Sequence, residues 1–479
     1  MMSRKEEETL ASAAQIAEVI QGALVAGDPA TSCHGVSTDS RVPVEGSLFV
    51  ALKGPSFDGA RFCRDAVARG SRIVLVSRES WAQGLVSDVG QAAVVTAADP
   101  LLALGALSAW HRSRFGVPVV AVTGSNGKTS TKQMVVAVLG GAPGVLCNQG
   151  NFNNQIGMPR ALLELRPQHA FVVMEMGMSA PGEIAYLARI ARPDVGVITN
   201  VQPVHLEGLK SIHAVAQAKG ELIENLTENG VAVLNADDPH VLMQAPRTRA
   251  RRVTFGRGPT ADVRVVSVRQ GEKPLEVELS LFGQSLTFSL DRPGAHLAQN
   301  AAAAAAVGSV LGVAPEALAE RLSRTEFPRM RMEPLRVGDG HLLIDCYNAN
   351  PGSMHAALQT LAELAAAGKR FAVLGEMREL GDAAEDLHWQ TGRAAAAAGV
   401  SELCCLGPQA RALARGAREN GLSRILETDS IAEATRWVTE RVSPGSWVLI
   451  KGSRAMKMER IAKQTASSFD VSWTAGEKE

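Results

Sequence analysis

Apolar residues along this chain fall into short continuous runs separated by polar stretches with helical spacing. In the first region, runs at 47–52, 72–76 and 92–95 predict strands, and the stretches at 61–69 and 99–114 predict helices. A second region opens with the run 117–122 after Gly116, the pattern of a strand buried on both faces of a parallel sheet. Strand 170–175, helix 183–190, strand 195–199, helix 211–226 and strand 231–235 follow in alternation, which implies βαβ units. Between 260 and 292 the period becomes two. Val263, Val265, Val268, Leu279, Leu281, Leu286 and Phe288 interleave with polar residues and predict an antiparallel extension. Helices at 296–312 and 315–323 close this region. The segment 325–334 (TEFPRMRMEP), with two prolines and no periodicity, reads as a linker. A third α/β region has strands near 342–346, 371–375, 402–406 and 447–451. The reading is an α/β chain of three domains, 1–112, 113–326 and 327–479, in line with a length of 479 residues at about 150 per domain.

Composition narrows the class. Lys+Arg and Asp+Glu are 49 each, and this zero net charge argues against a general nucleic-acid binder. Aromatics are only 4%, so aliphatic residues and alanine must fill the cores, and there is little material for stacking bases. The six cysteines show no metal-ligand spacing, so reduced buried thiols are expected rather than a zinc site. The first residues are charged, without the apolar core of a signal peptide, and no apolar run reaches membrane-spanning length. A cytoplasmic protein without membrane insertion is expected.

The strongest local signal is 123–130 (TGSNGKTS), after a buried strand and before a helix. Gly124 and Gly127 let backbone approach a phosphate, Asn126 and Ser130 belong to the same loop, Lys128 supplies positive charge, and the Thr129 hydroxyl can reach Mg²⁺. The general phosphate-loop pattern would place a glycine where this chain has Val122. Strand 170–175 ends in Glu175, either a magnesium ligand or a solvated strand-end carboxylate. His205 follows the strand 195–199, either a structural or solvated loop histidine or, at the sheet edge where ligands gather, a ligand. Lys219 lies in the helix 211–226, and nothing local separates it from an ordinary solvated lysine. The stretch 148–157 (NQGNFNNQIG), which includes Asn153 and Asn154, reads as a polar loop or as a carboxamide lining for a polar substrate. The stretch 345–351 (DCYNANP) reads as turn and cap residues or as part of a site, and 451–454 (KGSR) as a solvated basic helix start or an anion site.

Taken together and in order, these motifs resemble the Mur ligases, ATP-dependent amide-bond-forming enzymes of peptidoglycan synthesis. The resemblance rests on TGSNGKTS, GNFNNQIGMP (150–159), EMGMSAPGEI (175–184), NVQPVHLEGL (200–209), AKGEL (218–222), DCYNANPGSM (345–354) and LGEMRELG (374–381), and it covers essentially the whole chain. It implies a central parallel-sheet ATPase domain between a UDP-sugar-binding domain and a Rossmann-like domain. It further implies an activity that joins D-alanyl-D-alanine to UDP-N-acetylmuramoyl-tripeptide, with ATP and two Mg²⁺ ions, in a monomer. On that resemblance Gly124, Asn126, Gly127, Lys128, Thr129 and Ser130 bind ATP. Thr129, Glu175, His205 and a carbamylated Lys219 hold metal, and Lys128, His205 and Lys219 are catalytic. Asn300 (in HLAQN, 296–300) lies near the adenine, and Arg331 and Asp345 reach the nucleotide from the third domain. Ser40 and Arg41 (TDSR, 38–41), with Lys53 and Gly54, hold the UDP-sugar. Asn153, Asn154, Tyr347, Asn348 and Asn350 are the remaining substrate contacts. Ala60, where relatives often have histidine, and Ile344, where many have a second aspartate, depart from the family pattern.

Overall fold

The computed structural model describes residues 9–42, 44–54, 57–204, 206–270, 274–365 and 368–476. By compactness the chain divides into two units, one of residues 1–121, 142–177 and 183–194, the other of 122–141, 178–182 and 195–479.

In the first unit, a five-stranded sheet runs Ala23–Ala26, Ala93–Ala97, Ile73–Ser77, Leu48–Val50 and Val36–Ser37. Only the Ala23–Ala26 edge is antiparallel. Its middle strands are apolar without alternation because both faces are covered. Leu48, Val50, Ile73 and Leu75 pack on one side, and Phe49, Val74 and Val76 on the other. The expected strands at 47–52, 72–76 and 92–95 and the helices Cys63–Ala68 and Pro100–Ser113 are present. The same unit holds Phe171–Glu175 paired in parallel with Val145–Cys147, a strand too short to show in the apolar pattern.

In the second unit, Val195–Ile198, Val231–Asn235, Arg251–Gly256 and Val263–Arg269 pair in parallel in that order. Leu275–Leu281 and Gln284–Leu290 extend the sheet antiparallel, as the period of two predicts. The strand Arg251–Gly256 escapes the apolar-run criterion, since its first two residues are exposed arginines. A second sheet runs Glu333–Val337, Gly340–Ile344, Trp447–Lys451, Arg370–Gly375, Glu402–Leu406 and Ile425–Thr428, antiparallel only at its first pair. The segment read as a linker therefore ends inside a strand, because Glu333 and Pro334 pair with Ile344 and Leu343.

All six cysteines are free thiols. Burial pushes Cys33 up to about 11 and Cys63 and Cys404 to about 12, so these thiols are unreactive. Among the described residues, no helix is long and apolar enough to cross a membrane.

Candidate active site

The strand Val119–Thr123 is wholly buried and delivers the chain to Gly124, whose φ of 151° suits glycine. A Cβ there would stand 1.8 Å from the Thr199 hydroxyl, so no side chain is admitted. Gly127, at φ 78°, is the N-cap of the helix Lys128–Val138, and a Cβ on it would stand 2.6 Å from the Asn300 carboxamide. The two glycines thus serve a loop packed on both flanks. Having no side chain, Gly127 makes no side-chain capping bond to the helix, whose N-terminus and partial positive charge suit an anion.

The loop is tied down by the segment after the strand Val195–Ile198. Asn200 accepts from Ser125 N–H through its carbonyl (2.9 Å) and from Asn126 N–H through Oδ1 (2.9 Å). The Thr199 hydroxyl donates to the Asn126 carbonyl (2.6 Å), and Gln202 N–H donates to the Ser125 hydroxyl (2.8 Å). Two buried residues hold that segment in turn. Asn235 donates to the Thr199 carbonyl (2.8 Å), and the Asp238 carboxylate accepts from Val201 N–H (2.7 Å). Sequence reasoning missed these two supports. Their one visible signal is the polar run 235–239 (NADDP) at a strand end.

Lys128 folds back onto its own loop, donating to the carbonyls of Gly124 (2.8 Å) and Ser125 (3.3 Å). Thr129 and Ser130 are buried in the first helical turn. Lys219, on the helix Ile212–Glu224, is only 3% exposed. The reading of a solvated lysine fails there. Burial, and secondarily the charge of Lys128, pushes its ammonium well below the usual lysine range. His205 lies outside the described residues.

Asp345 follows the strand Gly340–Ile344 and is bound on two sides. Lys451 donates to its carboxylate (2.6 Å), and Met332 N–H donates to the other oxygen (3.1 Å). Lys451 is 1% exposed and also donates to the Asn348 carbonyl (3.0 Å), so it is a buried ion-pair partner and not a solvated helix start. Arg331 is presented between two left-handed residues, Met330 and Met332, and its guanidinium lies 4.1 Å above the Tyr347 ring. Asn350 caps the helix Pro351–Leu364, its Oδ1 accepting from Ser353 N–H (2.9 Å). Its Nδ2 donates to the Asn126 side chain (2.6 Å). The segment 345–350 therefore meets the phosphate loop.

In the first unit, Glu175 is 3% exposed, which removes the reading of a solvated strand end. Asn153 donates to its carboxylate (2.7 Å), and Asn148 brackets its backbone by accepting from Glu175 N–H and donating to its carbonyl (2.9 Å each). Two of the asparagines in 148–157 thus position a carboxylate. Asn154 differs: its carbonyl oxygen Oδ1 accepts from Ile156 and Gly157 N–H and forms a turn. Arg41 is exposed and forks onto Asp39 (2.9 and 2.8 Å), holding that carboxyl down to about 2. The Ser40 carbonyl accepts from Arg69 (2.8 Å).

Comparison with known proteins places the whole chain in one family. Three family models match in succession: Mur ligase family, catalytic domain, over 32–110; Mur ligase middle domain over 122–308; and Mur ligase, glutamate ligase domain, over 330–454. The chain belongs to the Mur ligase family. Among curated members, the UDP-N-acetylmuramoyl-tripeptide–D-alanyl-D-alanine ligase of Bacillus subtilis (strain 168) is 37% identical over 95% of this chain and 98% of its own. The ligase of the same name from Escherichia coli (strain K12) is 36% identical over 94% and 97%. Among solved structures, MurF from Acinetobacter baumannii superposes with a TM-score of 0.87 at 30% identity, covering 96% of this chain and 99% of that one. MurF from Thermotoga maritima in complex with ADP gives 0.81 at 27% identity over 91% and 98%. The fold of this Mur ligase is accordingly the three-domain α/β architecture of the family.

Proposed function

We propose that this Mur ligase joins D-alanyl-D-alanine to UDP-N-acetylmuramoyl-tripeptide at the expense of ATP. The observation that carries the reading is end-to-end similarity, at 36–37% identity, to ligases named for that reaction. The phosphate loop supports it, since its glycines admit no side chain and its lysine sits at a helix N-terminus.

A carboxylate and an amine do not condense in water without activation. In the proposed sequence an oxygen of the tripeptide's terminal carboxylate attacks the γ-phosphorus of ATP. The bond from that phosphorus to the bridging oxygen breaks, ADP leaves, and an acyl phosphate forms. The dipeptide amine, having lost a proton, attacks the acyl carbon. The tetrahedral adduct collapses with loss of phosphate. Two anions meet in the first step, so positioning and charge neutralisation dominate it, and in this reading Lys128 supplies positive charge there.

Mg²⁺ takes oxygen ligands, and the Thr129 hydroxyl and Glu175 carboxylate are donors of that kind. With His205 and a carbamylated Lys219, these residues would hold two ions. The metal would supply charge neutralisation at the phosphates. Carbamylation requires a neutral amine, and the depressed basicity of Lys219 supports it. Gly124, Asn126, Gly127, Ser130, Asn300, Arg331 and Asp345 complete the nucleotide site in this reading. Ser40, Arg41, Asn153, Asn154, Tyr347, Asn348 and Asn350 belong to the substrate side. The domains are 1–112, 113–326 and 327–479, and the enzyme works as a cytoplasmic monomer. Mass spectrometry tests the reading: incubation with ATP, Mg²⁺, the UDP-tripeptide and D-alanyl-D-alanine gives a UDP-pentapeptide. An unchanged UDP-tripeptide under those conditions overturns it.

A further inference from the structure

We infer that the hydrogen bond between Asn126 and Asn350 is a latch that holds the C-terminal domain in register with the phosphate loop. Asn126 then serves the nucleotide site as part of the loop, with its side chain a positioning group rather than a phosphate ligand. The inference rests on the ligase reading for its kinetic consequences, but not for its geometry.

The two carboxamides are 224 residues apart in sequence and 2.6 Å apart in space. Their orientation follows from their other partners. The Asn350 Oδ1 is committed to Ser353 N–H in a capping box, and Ser353 Oγ accepts from Asn350 N–H (3.0 Å). The amide is therefore not free to flip, and its NH₂ group faces Asn126 Oδ1. The backbone of Asn126 is held as well. Its N–H donates to Asn200 (2.9 Å), and its carbonyl accepts from Thr199 (2.6 Å) and Asn200 (3.1 Å). Gly352 makes the approach feasible, because a Cβ there would stand 3.0 Å from Asn126 Nδ2 and 3.3 Å from Gln202 Oε1.

The latch acts on the groups nearest the chemistry. Asp345 and Tyr347 precede Asn350 in one short segment, and Arg331 stacks on Tyr347. A carboxamide pair that fixes Asn350 against the loop also fixes where these groups stand relative to Lys128. Both side chains are neutral, so the contact adds no charge to an anion site.

Serine substitutions test this. Asn350→Ser keeps an N-cap but is too short to reach Asn126, and Asn126→Ser keeps the loop backbone. Losing one hydrogen bond predicts about a tenfold fall in kcat for either variant, with KM for ATP within about twofold. The double variant should fall no further than the worse single one, because both remove the same bond. Hydrogen exchange, read on the protein without substrates, should speed up in the first turn of Pro351–Leu364 in Asn126→Ser, although that helix keeps its own cap. Unchanged exchange there overturns the latch, as do additive kinetic losses or a raised KM for ATP at full kcat. A wild-type enzyme that forms no UDP-pentapeptide, yet shows the exchange effect, contradicts the ligase reading and leaves the latch standing.

Discussion

Lys219 shows how a residue's chemistry is set by where the fold puts it. In sequence it is one lysine on an amphipathic helix; in the structure it is buried, and burial favours its neutral amine. Replacing it by alanine should remove activity, and short carboxylates should restore part of it where bicarbonate alone does not. Indifference of turnover to the change would contradict its assigned role. Lys128 makes a simpler case. Lys128→Ala should lower kcat at least about a thousandfold while leaving the melting temperature near that of the wild type, and near-native turnover would contradict the phosphate-loop assignment. The loop itself was legible because its residue types and its place after a buried strand occur together. The burial of Lys219, Glu175 and Lys451 was not, since a single charged residue carries no mark of what will cover it.

Among the elements, the helix Pro100–Ser113 supplies a pH-dependent contact away from the chemistry. Its His111 is 3% exposed, and Nε2 meets the Leu165 carbonyl at 2.9 Å, so that nitrogen carries the proton. Nδ1 is buried without a partner, and a second proton there would have no acceptor. Burial accordingly lowers the imidazole to about 4 from an ordinary 6.5. The unfolded chain then binds more protons than the folded one between those values. The associated stability is intact above pH 6.5 and is lost as pH falls towards 4, by up to about 3 kcal/mol. Urea unfolding at pH 7 and pH 5 should show a larger loss for the wild type than for His111→Gln, and equal losses would remove this cause. The long buried strands and amphipathic helices were readable from apolar runs and their period. Arg251–Gly256 and Val145–Cys147 were not, because one begins with exposed arginines and the other spans three residues. Glu333–Val337 was hidden by its proline, which sits at the edge of its sheet, where a missing N–H is tolerated.

At the scale of the whole molecule, the account is that phosphate-loop chemistry is put to amide-bond formation, so ATP consumption depends on the second and third substrates. Coupling follows from the chemistry: the acyl phosphate needs the tripeptide carboxylate, and turnover past it needs the amine. The order of motifs along the chain carried this reading before any geometry did, because single motifs such as Gly-Lys-Thr recur by chance whereas seven in sequence do not. The supports beneath the motifs, Asn235 and Asp238, came only from the fold. The most direct measurement is phosphate release from ATP and Mg²⁺, followed with neither partner substrate, with UDP-N-acetylmuramoyl-tripeptide alone, and with D-alanyl-D-alanine added. The account predicts sustained release only with both substrates present, in step with amide formed. Release at the same rate with neither substrate would contradict it and would leave an ATPase in place of a ligase.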